Sequence, residues 1–183
     1  SNAFLATKIT FINEIAELCE KAGANIQDVS KGMGLDNRIG DKFLHAGPGY
    51  GGSCFPKDTS ALVETGKNFN VDLSIIKSVI KTNHDVKLRM VDKVVNAANG
   101  NLKGSIISVL GVTFKPNTDD MREAPSLIII PELIKRGAKI RVTDPQGERE
   151  GSKLLKNVEW DGDIIPIIGC LAVGGFVLLI ILL

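Results

Sequence analysis

Neither sign of charge is in excess in this sequence, with 22 Lys and Arg against 21 Asp and Glu, so nothing in its electrostatics suggests a nucleic-acid partner, and no acidic tail is present. Metal-ligating residues are scarce too. The two histidines, and three cysteines (Cys19, Cys54, Cys170) at wide and unpaired spacing with no C-x-x-C, argue against a metal site and for reduced thiols, which fits a cytoplasmic setting. The basic start and apolar core of a signal peptide are missing, because Lys8 and acidic residues sit within a helical pattern over residues 1–20. No G-x-G-x-x-G opens any strand. What remains is a chain of 183 residues with room for one or two domains and a real core.

Against those absences stands one dense stretch, Gly-Pro-Gly-Tyr-Gly-Gly-Ser-Cys-Phe-Pro-Lys-Asp at residues 47–58. Gly47, Gly49, Gly51 and Gly52 let the backbone take unusual φ values and approach a ligand, while Pro48 and Pro56 fix φ on either side of Cys54. A cation beside a thiol favours the thiolate and a nearby carboxylate can move protons. Cys54, Lys57 and Asp58 therefore read as nucleophile, tuner and base. The competing reading is a glycine-rich connection holding a buried thiol.

Along the chain, Leu5, Ile9, Ile12, Ala16 and Cys19 recur at helical spacing in a first helix over 2–22, ended by Gly23. Asn25 leads into a shorter helix closed by Gly34, and residues 35–40 form a turn carrying Arg38. Asp58 is positioned to cap a helix running to about Asn68. A longer helix over 74–98 follows, with Ile75, Ile76, Val79, Ile80, Val86, Met90, Val94 and Val95 as its buried stripe. Asn13 and Glu14 read as helix-surface or dimer-packing groups, and Lys8 likewise.

The expected division is an all-helical central domain over 1–98, a polar linker over 99–104, a partial α/β domain over 105–160 and an atypical apolar tail over 161–183. In the α/β part, strands at 105–110 and 139–143 flank a helix over 123–136. Such a β-α-β unit binds ligand at the carboxyl ends of its strands, which makes Lys115 and Arg122 candidate phosphate ligands, or else ordinary surface cations.

Four stretches, residues 2–19, 34–40, 47–58 and 110–123, resemble the UDP-glucose 6-dehydrogenases of the UDP-glucose/GDP-mannose dehydrogenase family, and the likeness extends from residue 2 to about 160. The resemblance implies an all-helical dimerisation domain followed by a partial Rossmann-like UDP-binding domain. It also implies an NAD-dependent oxidation of UDP-glucose to UDP-glucuronate in two hydride transfers, through a thiohemiacetal and a thioester on Cys54. By the same match, Asp58 assists proton transfer and Asn2 stabilises the oxyanion. Phe43, Leu44, His45, Ala46, Gly47, Tyr50, Gly51, Phe114 and Lys115 contact the UDP-sugar, and Lys57 and Arg122 contact NAD. Arg38 resembles an arginine delivered by the partner subunit of a homodimer.

The resemblance also implies a fragment. The family's amino-terminal NAD-binding domain is not represented, and its catalytic lysine, four residues before the asparagine, would precede residue 1; Lys8 does not replace it. A chain that does not turn over UDP-glucose alone is expected. Ser1-Asn2-Ala3 also has the form of a tag remnant, although the family itself often reads Ser-Asn-Ala here. Alternatives are a non-catalytic dimerisation and UDP-sugar-binding module, or a dehydrogenase of a related sugar such as GDP-mannose. The uncharged run 164–183 is long enough to span a bilayer, but Pro166, Gly169, Gly174 and Gly175 count against a membrane role and favour an altered end or a buried strand.

Overall fold

A computed structural model of the chain describes residues 1–162 and, in its backbone, 177–181. The chain forms two compact units, Ser1–Val86 and Lys87–Leu183, with the boundary inside a long helix. The expected tail over 161–183 lies mostly outside the described residues.

The first unit is helical, with α1 (Asn2–Ala22), α2 (Ile26–Gly34), α3 (Phe55–Asn68) and the first part of α4 (Ser74–Ala97). Local chemistry sets these ends. Gly23 takes a left-handed φ of 71° and closes α1 by donating to the Cys19 carbonyl. Asn25 caps α2, its side chain accepting from the Gln27 N–H at 2.9 Å. α3 opens directly at Cys54 with Pro56 in its first turn, where a missing N–H costs nothing. Asp58 therefore does not cap this helix. It lies one turn inside, with its own N–H already bonded to the Cys54 carbonyl at 2.8 Å. The α4 stripe holds at Val79, Val86 and Val94, but Ile75 is 69% exposed because the first turn of the helix carries less of the core than its middle.

The second unit is a parallel α/β sheet. Its strands are β1 (Ile106–Leu110), β2 (Lys139–Thr143), β3 (Val158–Trp160) and β4 (Val177–Ile181), in spatial order β3-β2-β1-β4, with α5 (Ser126–Lys135) and α6 (Glu148–Leu154) between them in sequence. Ile107 and Val109 of β1 and Ile140 and Val142 of β2 are almost wholly buried and pack with Ile129, Ile130 and Leu133 of α5, as strands covered on both faces must. Val91 and Val94 of α4 join the same core.

α5 starts later than the pattern suggested. Glu123 sits at φ 52° and Pro125 disfavours a helical residue before it, so the helix begins at Ser126. The strand not expected from sequence is β3, whereas β4, which pairs with β1 from within the uncharged run, is the buried strand that was one of the readings of that run.

Candidate active site

The cysteine loop hangs from two asparagines. Asn13 of α1 is 5% exposed and accepts from the Gly47 N–H at 2.7 Å. Asn83 of α4, 6% exposed, accepts from the Tyr50 N–H at 2.8 Å and donates to the Tyr50 carbonyl at 3.1 Å. One carboxamide thus does for the loop what a neighbouring strand would do in a sheet. The Tyr50 ring meets Phe55 edge-on at 5.9 Å, Phe55 meets Phe43 at 6.0 Å, and burial pushes the Tyr50 phenol above its ordinary value. Positive φ at Gly49 (101°) and Gly52 (81°) lets the chain turn between these anchors and reach α3.

Asn13 departs from the sequence reading, which made it a helix-surface or dimer-packing group, because it is buried against the loop of its own chain. A polar residue four after Ile9 and three before Ala16 lies on the buried stripe, where an amide must have a partner; that spacing was the available signal, and Asn83 carries the same one after Val79. Lys8 is also more than a surface cation, since its Nζ donates to the Ile39 carbonyl at 2.9 Å and ties α1 to the turn before the loop.

Cys54 ends this loop as an exposed thiol at the start of α3, with Ser53 Oγ at 3.7 Å from its Sγ. One helical turn on, Asp58 accepts from Asn2 Nδ2 at 2.6 Å, a contact between residues 56 positions apart. That hydrogen bond, followed by Lys57, holds the Asp58 carboxyl below the ordinary 3.8. Lys57 Nζ stands 3.4 Å from Asp58 Oδ1, so its partner in the structure is the carboxylate. The structure thus brings Asn2, Asp58 and Cys54 to the start of one helix.

The remaining expected residues of the first unit fall on the approach to the loop. Phe43 (φ 64°) and His45 are exposed, Ala46 and Gly47 follow, and Leu44, Tyr50 and Gly51 are buried. Leu44 is 1% exposed and its carbonyl accepts from Ser30 Oγ. Arg38 projects from the turn after α2 with its side chain 89% exposed, held to Asp36 at 2.6 Å.

In the second unit, Phe114, Lys115 and Arg122 lie on the loop after β1, at the carboxyl edge of the sheet. Lys115 Nζ sits 5.2 Å over the Phe114 ring, and Thr113 Oγ1 donates to the Lys115 carbonyl at 2.9 Å. Arg122 grips Asp120 through two edges, at 2.9 and 2.6 Å, and so lowers that carboxyl below its usual range. Among the described residues, no cluster of three or more His, Cys, Asp or Glu is placed to hold a metal ion. No helix of the described residues is long and apolar enough to cross a membrane.

Residues 1–85 match the central domain of the UDP-glucose/GDP-mannose dehydrogenase family and residues 108–166 match its UDP binding domain, which places the fold among the nucleotide-sugar dehydrogenases. The chain belongs to the UDP-glucose/GDP-mannose dehydrogenase family. It is 54% identical to a UDP-glucose 6-dehydrogenase of Rhizobium meliloti over 86% of this chain and 36% of that protein. It is 57% identical to one of Bacillus subtilis over 79% of this chain and 33% of that protein. The structure of a UDP-glucose dehydrogenase from Pyrobaculum islandicum superposes with a TM-score of 0.86 at 37% identity, covering 99% of this chain and 41% of the other. The chain thus spans about a third of the length of the curated relatives it matches.

Proposed function

We propose that this chain carries the nucleophile and substrate-side portion of an NAD-dependent UDP-glucose 6-dehydrogenase, which takes UDP-glucose to UDP-glucuronate. The observation that carries the reading is the meeting of Asn2, from one end of the helical unit, with Asp58 one turn beyond an exposed Cys54. An ordinary glycine-rich connection would have no reason to hold an anionic carboxylate and an amide donor beside an exposed thiol.

In this reading the Cys54 thiolate adds to the C6 aldehyde, forming an S–C6 bond, and the resulting thiohemiacetal loses a hydride and a proton to give a thioester. Water then attacks C6, the S–C6 bond breaks, and carboxylate leaves with the thiol restored. Asn2 Nδ2 donates to the oxygen that becomes negative in each addition. Asp58, kept anionic by its neighbours, orients the attacking water and receives its proton. Bound NAD supplies the hydride acceptor for both oxidations. Lys57 of the helical unit and Arg122 of the α/β unit are exposed cations, each suited to contact an anionic cofactor.

In the helical unit Phe43 to Gly47, Tyr50 and Gly51, and in the α/β unit Phe114 and Lys115, are the residues assigned to UDP-sugar contact. The exposed Arg38 serves the site of the partner subunit in a homodimer. The test is protection of the thiol. UDP-glucose should bind the purified chain in calorimetry and slow iodoacetamide alkylation of Cys54, read by peptide mass spectrometry with buried Cys19 as the internal reference. A chain that neither binds UDP-glucose nor shows a slower Cys54 reaction in its presence would end this reading.

A further inference from the structure

The second strand of the β-α-β unit runs into Asp144, a carboxylate only 8% exposed that accepts from four backbone N–H groups. Its oxygens are taken by backbone. Oδ2 accepts from the Val112 N–H at 2.8 Å and the Thr113 N–H at 3.4 Å, both on the loop after β1. Oδ1 accepts from the Gln146 N–H at 3.1 Å and the Gly147 N–H at 2.7 Å, on the loop after β2. In dinucleotide-binding units the acidic residue after the second strand receives a ribose hydroxyl. Here that carboxylate faces inward and staples two loops.

We infer that Asp144 is a positioning residue for ligand recognition at this sheet edge: by bridging the two loops it fixes the backbone from which Phe114 and Lys115 project. The step from Asp144 to Lys115 is short. Thr113, whose N–H it receives, donates its hydroxyl to the Lys115 carbonyl. The loop is also held by the Gly111 N–H on the Thr143 carbonyl at 3.0 Å and the Phe114 N–H on the Asp120 carbonyl at 3.2 Å, but Asp144 alone ties it to the loop after β2 through a side chain that reaches both. The fit around the carboxylate is close enough that a Cβ at Gly147 would come within 2.8 Å of both Asp144 Oδ2 and Thr113 Cγ2. A charged acceptor for several N–H groups is the strongest hydrogen-bonding device available to a buried turn.

The inference rests on the UDP-sugar reading given above, and two substitutions separate the two. Asp144→Asn keeps the shape but turns one acceptor into a donor facing N–H groups. Asp144→Ser keeps a hydroxyl for the local turn at Gln146 while losing the reach to Val112 and Thr113. UDP binding is measured by calorimetry, and backbone amide exchange over residues 111–116 and 145–148 is followed in the same samples. The expected result is a dissociation constant for UDP raised about tenfold or more by either change, the scale of a lost charged hydrogen bond. Asp144→Ser should speed exchange over 111–116 alone, and Asp144→Asn over both segments, with exchange in α5 unchanged. If the unaltered chain binds UDP and both variants bind it equally well, Asp144 plays no positioning part although the UDP reading stands. If the unaltered chain holds no UDP, that reading falls, and unchanged exchange over 111–116 in Asp144→Ser would overturn the staple as well.

Discussion

Asn2 and Asp58 form a contact whose consequence can be followed with pH. The amide hydrogen bond, and behind it the Lys57 ammonium, favour the ionised carboxyl, so Asp58 in the folded chain titrates below the 3.8 of an unperturbed aspartate. The folded state then holds fewer protons than the unfolded one in that interval. The stabilisation is present above pH 3.8 and is lost as the pH falls through the lower folded-state value. Replacing Asn2 by Ala removes the larger cause, and the carbon-13 shift of the Asp58 carboxyl should then titrate closer to 3.8. An unmoved midpoint would show that the 2.6 Å contact does not form in solution. A carboxylate held below its ordinary range stays ionised near neutral pH and can orient water.

Asn83 makes a second residue-scale case. Leucine there has a similar volume but leaves both the N–H and the carbonyl of buried Tyr50 without their partner. Each buried group left unsatisfied costs about 1–3 kcal/mol, so Asn83→Leu should lower stability by about 2 kcal/mol or more in urea unfolding, with faster exchange at Tyr50. A loss within about 0.5 kcal/mol, the scale of an ordinary surface change, would mean that water replaces the amide easily. Asn13 and Asn83 left only the faint signal of a polar residue on a buried helical stripe. Cys54, Lys57, Asp58 and their glycines announce themselves by density in one string, whereas Asn13 and Asn83 act from helices through contacts 34 and 33 residues away in the chain.

At the scale of elements, legibility followed length and periodicity. The ends of α1 and α2 could be read from Gly23, Asn25 and Gly34, and β2 from a β-branched run stopped by Asp144-Pro145. β3 spans only Val158–Trp160, too short for any alternation to register. β4 lies in a continuous apolar run, and a parallel strand and an apolar helix look alike in such a run. α6 was missed because Glu148–Leu154 is two turns with little apolar pattern, and its place is set by tertiary packing. Gly151 shows that packing. A Cβ there would sit 2.5 Å from Cη2 and 3.0 Å from Cζ2 of Trp160, so the helix lies against the indole through a bare backbone. Gly151→Ala should force the ring or the helix aside at a cost of about 1–3 kcal/mol. Since Trp160 is the one tryptophan of the chain, a lower melting temperature should come with a shifted emission maximum; an unchanged spectrum and melting point would mean that α6 does not pack on Trp160 in this way.

At the scale of the whole molecule, the outer face of α1 bears on assembly. Phe4 is 70% exposed, Phe11 46% and Leu18 61%, and their spacing of seven residues puts all three on one side of the helix. Phe4 and Phe11 also line, with Met33, Ile39 and Leu44, a mostly apolar groove of the helical unit to which Lys8 and Arg38 contribute. A monomer gains nothing by presenting two phenylalanines and a leucine to water in line. A second copy related by a twofold axis would cover them with the same stripe, the commonest arrangement for a soluble oligomer. The proposed homodimer therefore depends on this face, and a charge at its centre should break it. Phe11→Glu is expected to convert the chain from dimer to monomer in sedimentation equilibrium while leaving the helix content seen by circular dichroism unchanged, because Phe11 contributes to the face and little to the interior. If the variant sediments as the unaltered chain does, whether both are dimers or both monomers, α1 is not the dimer surface. Arg38, on the same groove, would then have to reach its site from within its own subunit.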